Sequence, residues 1–526
     1  MLAAGDPEIR RRGVMGLEES GDEDTVATLV QALGDVDWRV RKEAVRVTTS
    51  VALALRVMPA MVQAIVQGEN VGLRNAALEV VGNVGARATR DLLAELPRVP
   101  AQARKFIIGA LGDAGDLAAV PPLVIEAEGQ DANNAAAAID ALARLGGPDA
   151  ELALRRRLCS EDPFQRMAAL DGLNRLRAII PWRELEPILD DRLVRRLVLA
   201  ALGRCGREEA VAPLVEALRD RAQSAVAASA VSLGQLYDDS DRLAEVVRQF
   251  AGEFGASQRA ALRQLVAEGD LPTRQAAAHL LLLAEDVPAL EGVVALAAES
   301  ALPPVALSAL TSWGARAARP LLAVQARTSG NVRGTALELA ADLAADGLRA
   351  PRSDEPLARE VRAAILAAID SRDPLLARAG ARSLTWWARA EDVGTLIDLA
   401  SRSSGELAHA CGAALEALAA TEPIVVSRAL SSVSLDRPVG AALAGVVARL
   451  RLPGAFEQLQ AGLSAREPEV RRAAIEALSI LGGERAAELI GYALTDEVLD
   501  VRTTAARALG HLRGPDGRAL GAEGLL

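Results

Sequence analysis

The hydrophobic and polar residues of this chain repeat a helical pattern that is clearest in residues 465–483. Glu467 and Pro468 are typical of a helix start, with an acidic cap followed by proline at the first helical position. One helical face then carries the apolar residues Val470, Ala474, Ile475, Leu478 and Leu481. The glycine pair 482–483 predicts the helix end, because glycine adopts the left-handed conformation without steric cost. One such helix cannot bury its own apolar face, so it needs neighbours.

The same register recurs along nearly the whole chain. Each match has an anchor residue, with a polar cap three residues before it, arginine one residue after it, and apolar residues five, eight and eleven after it. The matches number about sixteen, and most successive anchors lie roughly 31 residues apart, which is typical of helical repeats. The anchors are Ile9, Val40, Leu73, Ala103, Asn134, Gln165, Val194, Ala225, Thr273, Leu302, Val332, Leu376, Leu407, Val439, Val470 and Val501.

A shorter apolar stretch precedes most anchors, so each repeat is predicted to be a pair of helices. We call them the first helix and the second helix, and the second helix carries the anchor. First helices are predicted at 25–33, 118–127, 150–158, 210–218, 393–400 and 486–494.

Two polar columns accompany the anchors. The cap position holds Asp6, Asp37, Asn70, Asp131, Asp162, Asp191, Asp270, Asp373, Asp436 and Glu467. The arginine position holds Arg10, Arg41, Arg74, Arg104, Arg166, Arg195, Arg274, Arg333, Arg471 and Arg502. Two such columns in one chain are not expected by chance.

This pattern of Asp-Pro-x-Val-Arg, an alanine-rich helix and a Leu-Gly stop resembles the HEAT repeat, in the bacterial form also seen in phycobilisome lyase-like proteins. The resemblance implies an all-α fold, a right-handed α-solenoid of about sixteen HEAT-like helical hairpins. It also implies that the arginines reach turn aspartates or carbonyls and hold adjacent repeats in register. HEAT arrays serve many unrelated partners, so the resemblance names no function.

The spacing of the anchors predicts the domain organisation. We expect an N-terminal array at 1–240, an irregular helical segment at 241–285, central repeats at 286–346, an inserted loop at 347–356 and a C-terminal array at 357–526. The pattern starts without a preceding first helix and ends in a glycine-rich tail. We therefore expect a half repeat or a trimmed edge at the N-terminus, and a frayed or truncated C-terminus.

Composition narrows the functional classes. Aromatic residues are 2% of the chain, which suits close-packed helices better than a deep ligand pocket. The net charge of −11 argues against a protein whose main task is binding nucleic acid, because that affinity comes from lysine and arginine on phosphates. No apolar run approaches the roughly 20 residues that a membrane helix needs, so no membrane insertion is expected and the default location is cytoplasmic.

The sequence predicts no catalytic, cofactor or metal site. His279, His409 and His511 fall in distant repeats, whereas a metal or acid-base site needs several such groups together. Cys205 and Cys411 take positions of core residues. Glycine-rich phosphate loops and the GxSxG elbow are absent from the sequence.

Partner binding on a HEAT-like stack is expected on the ridge, which we define as the exposed side of the second helices. Positions two and six after the anchors approximate this ridge. They hold the candidate partner-binding cations Arg11, Lys42, Arg46, Lys105, Arg378 and Arg382. Such a strip would attract an acidic protein partner, although a solvated charged face is the simpler interpretation. Trp386 lies beside the core face; burial between repeats is favoured for it, and exposure would make it a candidate hot spot.

The leading hypothesis is a non-enzymatic scaffold or adaptor for protein partners, in bacterial signalling or complex assembly. One alternative is a bilin lyase-like subunit that handles a chromophore, which would need an exposed, activated nucleophile. A second alternative is a nucleic-acid-binding HEAT-like protein, which would need a contiguous basic groove. The sequence does not identify the partner, the pathway or the oligomeric state.

Overall fold

The computed structural model describes residues 3–19, 23–52, 56–66, 70–347, 355–403 and 405–512. Helices and short turns make up this part of the chain, and it contains no β-strand. The prediction of an all-α fold is confirmed. Most of the predicted loop 347–356 and the glycine-rich tail lie outside the described residues.

The chain divides into two compact units, residues 1–265 and 266–526. The helices that begin in the first unit are α1 (Pro7–Met15), α2 (Glu23–Leu33), α3 (Trp38–Val51), α4 (Met58–Val66), α5 (Val71–Val84), α6 (Thr89–Glu95), α7 (Ala101–Ala114), α8 (Val120–Ala127), α9 (Ala132–Leu145), α10 (Pro148–Arg157), α11 (Pro163–Arg175), α12 (Trp182–Leu185), α13 (Arg195–Leu202), α14 (Val211–Ala217), α15 (Gln223–Asp239), α16 (Asp241–Gly252) and α17 (Ala256–Glu268).

The second unit is built in the same way. Its helices are α18 (Leu271–Leu283), α19 (Leu290–Ala298), α20 (Pro304–Thr311), α21 (Ala318–Arg327), α22 (Gly330–Gly347), α23 (Pro356–Ile369), α24 (Pro374–Trp387), α25 (Val393–Arg402), α26 (Gly405–Ala419), α27 (Pro423–Ser431), α28 (Gly440–Arg449), α29 (Ala455–Leu463), α30 (Pro468–Leu481), α31 (Glu484–Tyr492) and α32 (Leu499–His511).

Every anchor lies at or near the start of a helix, and these second helices pack on one another within each unit. In the first unit they are the odd-numbered helices from α1 to α15, and each contacts the next. In the second unit they are the even-numbered helices from α18 to α32, with α22 to α32 in one continuous series of contacts. First helices such as α8, α25 and α29 pack against the second helix that follows them. The structure is thus a stack of helical hairpins in each unit.

The caps form as the sequence predicts in most repeats. In α11, the Asp162 carboxylate accepts a hydrogen bond from the Phe164 backbone N–H at 2.9 Å, and Pro163 occupies the first helical position. Three members of the cap column differ. Asp191 lies four residues before α13, whose N-cap residue is Val194. Glu467 makes no side-chain cap, and α28 begins beyond Asp436, at Gly440. The longer glutamate side chain is a poorer match to the cap geometry than aspartate.

The predicted core positions are buried in both units. In α30, Val470, Ala474, Ile475 and Leu478 are at most 1% exposed, whereas Leu481 is half-buried. The helix ends at Gly482 and Gly483, which both have positive φ, as predicted. Burial of these apolar faces between neighbouring hairpins supplies the main stabilisation.

The arginine column links adjacent repeats. Arg471 donates to Asp496 in the next turn at 2.8 and 2.9 Å, and to the carbonyls of Ala465 and Arg466 in its own turn at 2.9 Å. A guanidinium can make these bonds at once because its donors form a planar fork. The carboxylate partner lies 25 residues downstream in each of the pairs Arg10–Asp35, Arg166–Asp191, Arg195–Asp220, Arg274–Glu299 and Arg471–Asp496. The predicted register bonds are confirmed.

The two irregular spacings have different causes. Between α15 and α18 the chain forms two helices, α16 and α17, where a regular repeat has one first helix. Between α22 and α24 there is one first helix, α23, and α22 itself is long, with 18 residues. The extra length there therefore falls in α22 and in the segment that follows it.

Candidate functional site

The ridge of the first unit contains a groove between the second helices α3 and α5. It has a volume of about 260 Å³. Its lining residues are Trp38, Arg41, Lys42, Val45, Gly72, Asn75, Ala76 and Glu79. The groove therefore combines an aromatic ring, the cations Arg41 and Lys42, the carboxylate of Glu79 and an apolar floor on one surface.

Trp38 and Lys42 define the chemistry of this groove. Trp38 is the first residue of α3 and is 63% exposed, whereas Val40 and Ala44 of the same helix lie on the core face and are buried. Lys42 lies one helical turn further along and is exposed. No ion pair involves Lys42 among the described residues. An exposed ring beside an unpaired ammonium is a favourable combination for binding a protein segment.

The other candidate cations of α1 and α3 are paired. Arg11 bonds to Glu8 at 2.9 Å and reaches Glu43 at 3.2 Å. Arg46 bonds to Glu18 at 2.8 Å and to Glu43 at 2.7 Å. The hydrogen bonds that Arg46 donates to Glu18 and then to Glu43 raise the pKa of Arg46 above its ordinary value. These two arginines thus belong to a network in which carboxylates balance their charge.

Lys105, the last candidate of the first unit, lies on α7 and is half-buried. Its ammonium is 5.3 Å from the centroid of the Phe106 ring, and the Arg74 guanidinium is 4.6 Å from the same centroid. Two cations at one ring indicate a positive patch at this point of the ridge. Lys42 and Lys105 are therefore the sequence-predicted cations of the first unit that no carboxylate neutralises among the described residues.

In the second unit the candidate cations lie between acidic groups. Arg378 pairs with Glu406 of α26, and Arg382 lies 3.4 Å from Glu338 of α22. Burial raises the pKa of Glu338 above its ordinary value, and the positive charge of Arg382 opposes that shift. Both arginines of α24 therefore take part in contacts between adjacent second helices.

Trp386 and Trp387 are neighbours with opposite environments. Trp387 is fully buried and donates from Nε1 to the Ala341 carbonyl at 3.1 Å, as expected for a core tryptophan. Trp386 is 62% exposed, so the favoured prediction of its burial between repeats is wrong. The reason is its position on α24: Trp387, one residue later, takes the core face, which turns Trp386 toward solvent.

The groups that could carry covalent or metal chemistry are dispersed. Cys205 and Cys411 are buried, and desolvation raises the pKa of both thiols, to about 12 for Cys411. A thiol with a raised pKa is a poor nucleophile. Cys159 is exposed. Within the described ranges, no group of three or more His, Cys, Asp or Glu residues is arranged to hold a metal ion.

Family models match three segments of the chain. The model described as HEAT repeats matches residues 1–52 and 422–510, and the model described as PBS lyase HEAT-like repeat matches residues 194–220. The chain is a HEAT-repeat protein. The matched segments include the clearest matches to the anchor register, such as those at Val40, Val194, Val470 and Val501, and the resemblance stated from the sequence is confirmed.

Solved structures similar to this HEAT-repeat protein include those of importin beta, Kap95p and Kap121p. A crystal structure of importin beta shares 14% identity, with 96% of this chain and 86% of that chain covered and a TM-score of 0.47. A structure of Kap95p with RanGDP shares 12% identity, covering 100% and 87%, with a TM-score of 0.45. Kap121p shares 13% identity, covering 100% and 61%, with a TM-score of 0.44. Similarity at this level says nothing about what the chain binds.

No curated protein matches the sequence. Over the described ranges, the structure contains no helix with both the length and the hydropathy of a membrane span.

Proposed function

We propose that this HEAT-repeat protein is a non-enzymatic scaffold or adaptor that binds a protein partner on the ridge of its first unit. The fold is of a kind that often binds proteins, and the groove of Trp38 and Lys42 is the observation that carries the proposal. In this groove an exposed ring and an unpaired cation lie one helical turn apart. We assign the protein to the cytoplasm and to bacterial signalling or complex assembly, and we expect an acidic partner segment at this groove.

The ion pairs of the arginines on the ridge explain why Lys42 is more important for partner binding than its neighbours. Arg46 is already bound to Glu18 and Glu43, so an incoming carboxylate would have to break those bonds before it gained one. Lys42 has no such bond to lose among the described residues. A partner carboxylate at Lys42 therefore gains an interaction, and the adjacent Trp38 supplies apolar area that the ion pair alone lacks.

The experiment is affinity purification of the tagged full chain from the cell that produces it, followed by titration of the purified partner against the chain. Trp38→Ala combined with Lys42→Glu should weaken binding by roughly 30-fold or more, since loss of an interface tryptophan costs about 2 kcal/mol or more. The matched control is Tyr492→Ala with Arg183→Glu. It removes an exposed ring and reverses an exposed cation at other places, and it should bind as the unmodified chain does.

Two results would count against the proposal. Equal affinity of the Trp38/Lys42 variant and the unmodified chain would remove this groove as the binding site. Failure to recover any protein would remove the scaffold function. Retardation of DNA or RNA in a gel at low salt, or visible absorbance after mixing with a bilin, would support the nucleic-acid or the chromophore alternative instead.

A further inference from the structure

The ridge of the second unit contains a separate groove, which we call the α28 groove, across the helices α26, α28 and α30. Its volume is about 320 Å³. It forms where a second helix is short: α28 has 10 residues, whereas α26 has 15 and α30 has 14. The arginine position of this repeat holds Gly440, and Pro438 stands two residues before it. The missing first turn of α28 leaves space between its neighbours.

Small residues form the floor of the α28 groove. Ala408, Ala442 and Val470 line it and are almost fully buried. A Cβ atom on Gly440 would lie 2.1 Å from the Leu435 carbonyl oxygen and 2.9 Å from the Val470 side chain. Because glycine and alanine let α28 approach α30 closely, the floor is apolar and shallow.

Unpaired glutamates surround this floor. Glu467, Glu469 and Glu476 line the groove, and none of them forms an ion pair among the described residues. Arg472 lies within one helical turn of both Glu469 and Glu476 on α30, and it pairs with neither. By contrast, the adjacent Arg471 is fully engaged with Asp496. With three carboxylates and one guanidinium, the rim is net negative.

His409 adds a further acceptor. Its Nδ1 atom lies 2.8 Å from the Gly405 carbonyl oxygen. A carbonyl only accepts, so Nδ1 carries the proton in this bond, and Nε2 of the neutral ring remains an acceptor. The α28 groove thus offers carboxylate oxygens and an imidazole nitrogen around an apolar floor.

We infer that the α28 groove binds a short basic segment of a protein partner, through arginine or lysine side chains. These side chains have an apolar stem and a cationic head that donates several hydrogen bonds, which matches an apolar floor with an acidic rim. Charge complementarity selects this occupant over an acidic or an apolar peptide. The inference deepens the proposed scaffold function and rests on it, but it assigns a different surface and the opposite partner charge.

The test is fluorescence anisotropy of labelled peptides titrated with the full chain at low salt. The probes are a ten-residue peptide of alternating arginine and serine and its counterpart of alternating glutamate and serine. The basic peptide should bind and the acidic peptide should not. Glu469→Gln combined with Glu476→Gln should weaken binding of the basic peptide about tenfold, because two charge pairs with the peptide are lost. Arg472→Gln should strengthen it, because it removes a cation from the rim.

The control is Glu484→Gln combined with Glu488→Gln on the first helix α31, where both glutamates are exposed. The control also removes two negative charges from the second unit, but outside the α28 groove. It therefore measures any general attraction of a cationic peptide to an acidic protein. Circular dichroism of each variant checks that the fold is retained. Equal weakening by the groove variant and the control, or no strengthening by Arg472→Gln, would overturn the inference.

The outcome is distinguishable from that of the proposed function. Loss of the partner by the Trp38/Lys42 variant, with no binding of the basic peptide, would refute the α28 groove alone. Specific binding of the basic peptide, with no effect of the Trp38/Lys42 variant, would support the α28 groove and refute the first-unit site.

Discussion

Individual side chains of this chain have two structural tasks, filling the core and linking turns. Leu478 fills the space between α30 and its neighbours and is fully buried. Arg471 and Asp496 link two turns, with side chains 8% and 12% exposed. Both tasks follow from the position of a residue relative to its anchor, which is why the sequence pattern predicted them.

Leu478→Ala should lower the free energy of unfolding by about 2–5 kcal/mol, because it removes buried methyl groups and leaves a cavity. Urea unfolding followed by circular dichroism measures the change. Ile480→Ala, at an exposed position of the same helix, is the control and should change the free energy by less than about 0.5 kcal/mol. Similar losses for both variants would show that the assigned register is wrong.

The Arg471–Asp496 pair should make part of the stability depend on pH. Hydrogen bonds from Arg471 hold the pKa of Asp496 below its ordinary value. Such a carboxylate stabilises the fold above its unfolded-state pKa of about 3.9, and this contribution is lost as the pH falls through the lower folded-state pKa. As the pH falls from about 7 to about 3, the free energy of unfolding should therefore decrease less for Asp496→Asn than for the unmodified chain.

The control for this prediction is Asp500→Asn on α32, a carboxylate without an ion pair among the described residues. Its pH dependence should follow that of the unmodified chain, measured by urea unfolding across the same pH range. Identical curves for Asp496→Asn and Asp500→Asn would mean that the pair does not contribute.

At the scale of helices, the distance of approach between neighbouring second helices determines where the stack is regular and where a groove forms. Gly412 of α26 faces α28, and a Cβ atom there would lie 2.9 Å from the Ala442 carbonyl oxygen. At Gly440 of α28, a Cβ atom would lie 2.1 Å from the Leu435 carbonyl oxygen and 2.9 Å from the Val470 side chain of α30. Helices α26, α28 and α30 therefore approach one another more closely than larger side chains would permit.

Gly440→Ala should destabilise the protein by about 1–3 kcal/mol, because the added methyl group would overlap the Leu435 backbone and must displace it. Thermal unfolding measures the effect. Gly109→Ala is the control, since nothing lies within 4 Å of a Cβ atom built at that position in the interior of α7. It should stabilise the protein slightly, as alanine does in place of glycine in a helix. Equal effects of the two variants would contradict the close packing of α28.

The sequence predicted the helices better than the surface. All anchors lie at or near second-helix starts because helical periodicity and caps are local signals. The pairing of Arg46 with Glu18 was missed, since it joins residues 28 positions apart that meet only after folding. The α28 groove was missed too, although the glycine in an arginine position at 440 was a visible signal. The domain boundaries and the partner-binding residues remain predictions.

At the scale of the whole molecule, stability is expected to be a sum of nearest-neighbour terms. Within the second unit each second helix from α22 to α32 contacts the next one in the series. A destabilising substitution should therefore lower the local stability of adjacent repeats, and its effect should decrease with distance along the stack.

Hydrogen exchange of Leu478→Ala tests this expectation. Amide protection should fall most in α30, then in α28 and α32, and should be unchanged in α22, which is several repeats away. A uniform loss of protection across the second unit would show that it opens as a single cooperative block.

The spacing of the arginine bonds affects how the chain can change length. Among the described residues, five arginines of the column bond to a carboxylate 25 residues downstream, in the turn of the following repeat. If one complete repeat is duplicated or deleted, an arginine of this kind keeps its 25-residue spacing to the acidic position of the next turn across the new junction. A cut inside a repeat would instead leave a buried charge without a counter-ion. The arginine–carboxylate bonds between repeats are therefore compatible with the gain or loss of whole repeats. They disfavour the gain or loss of part of a repeat.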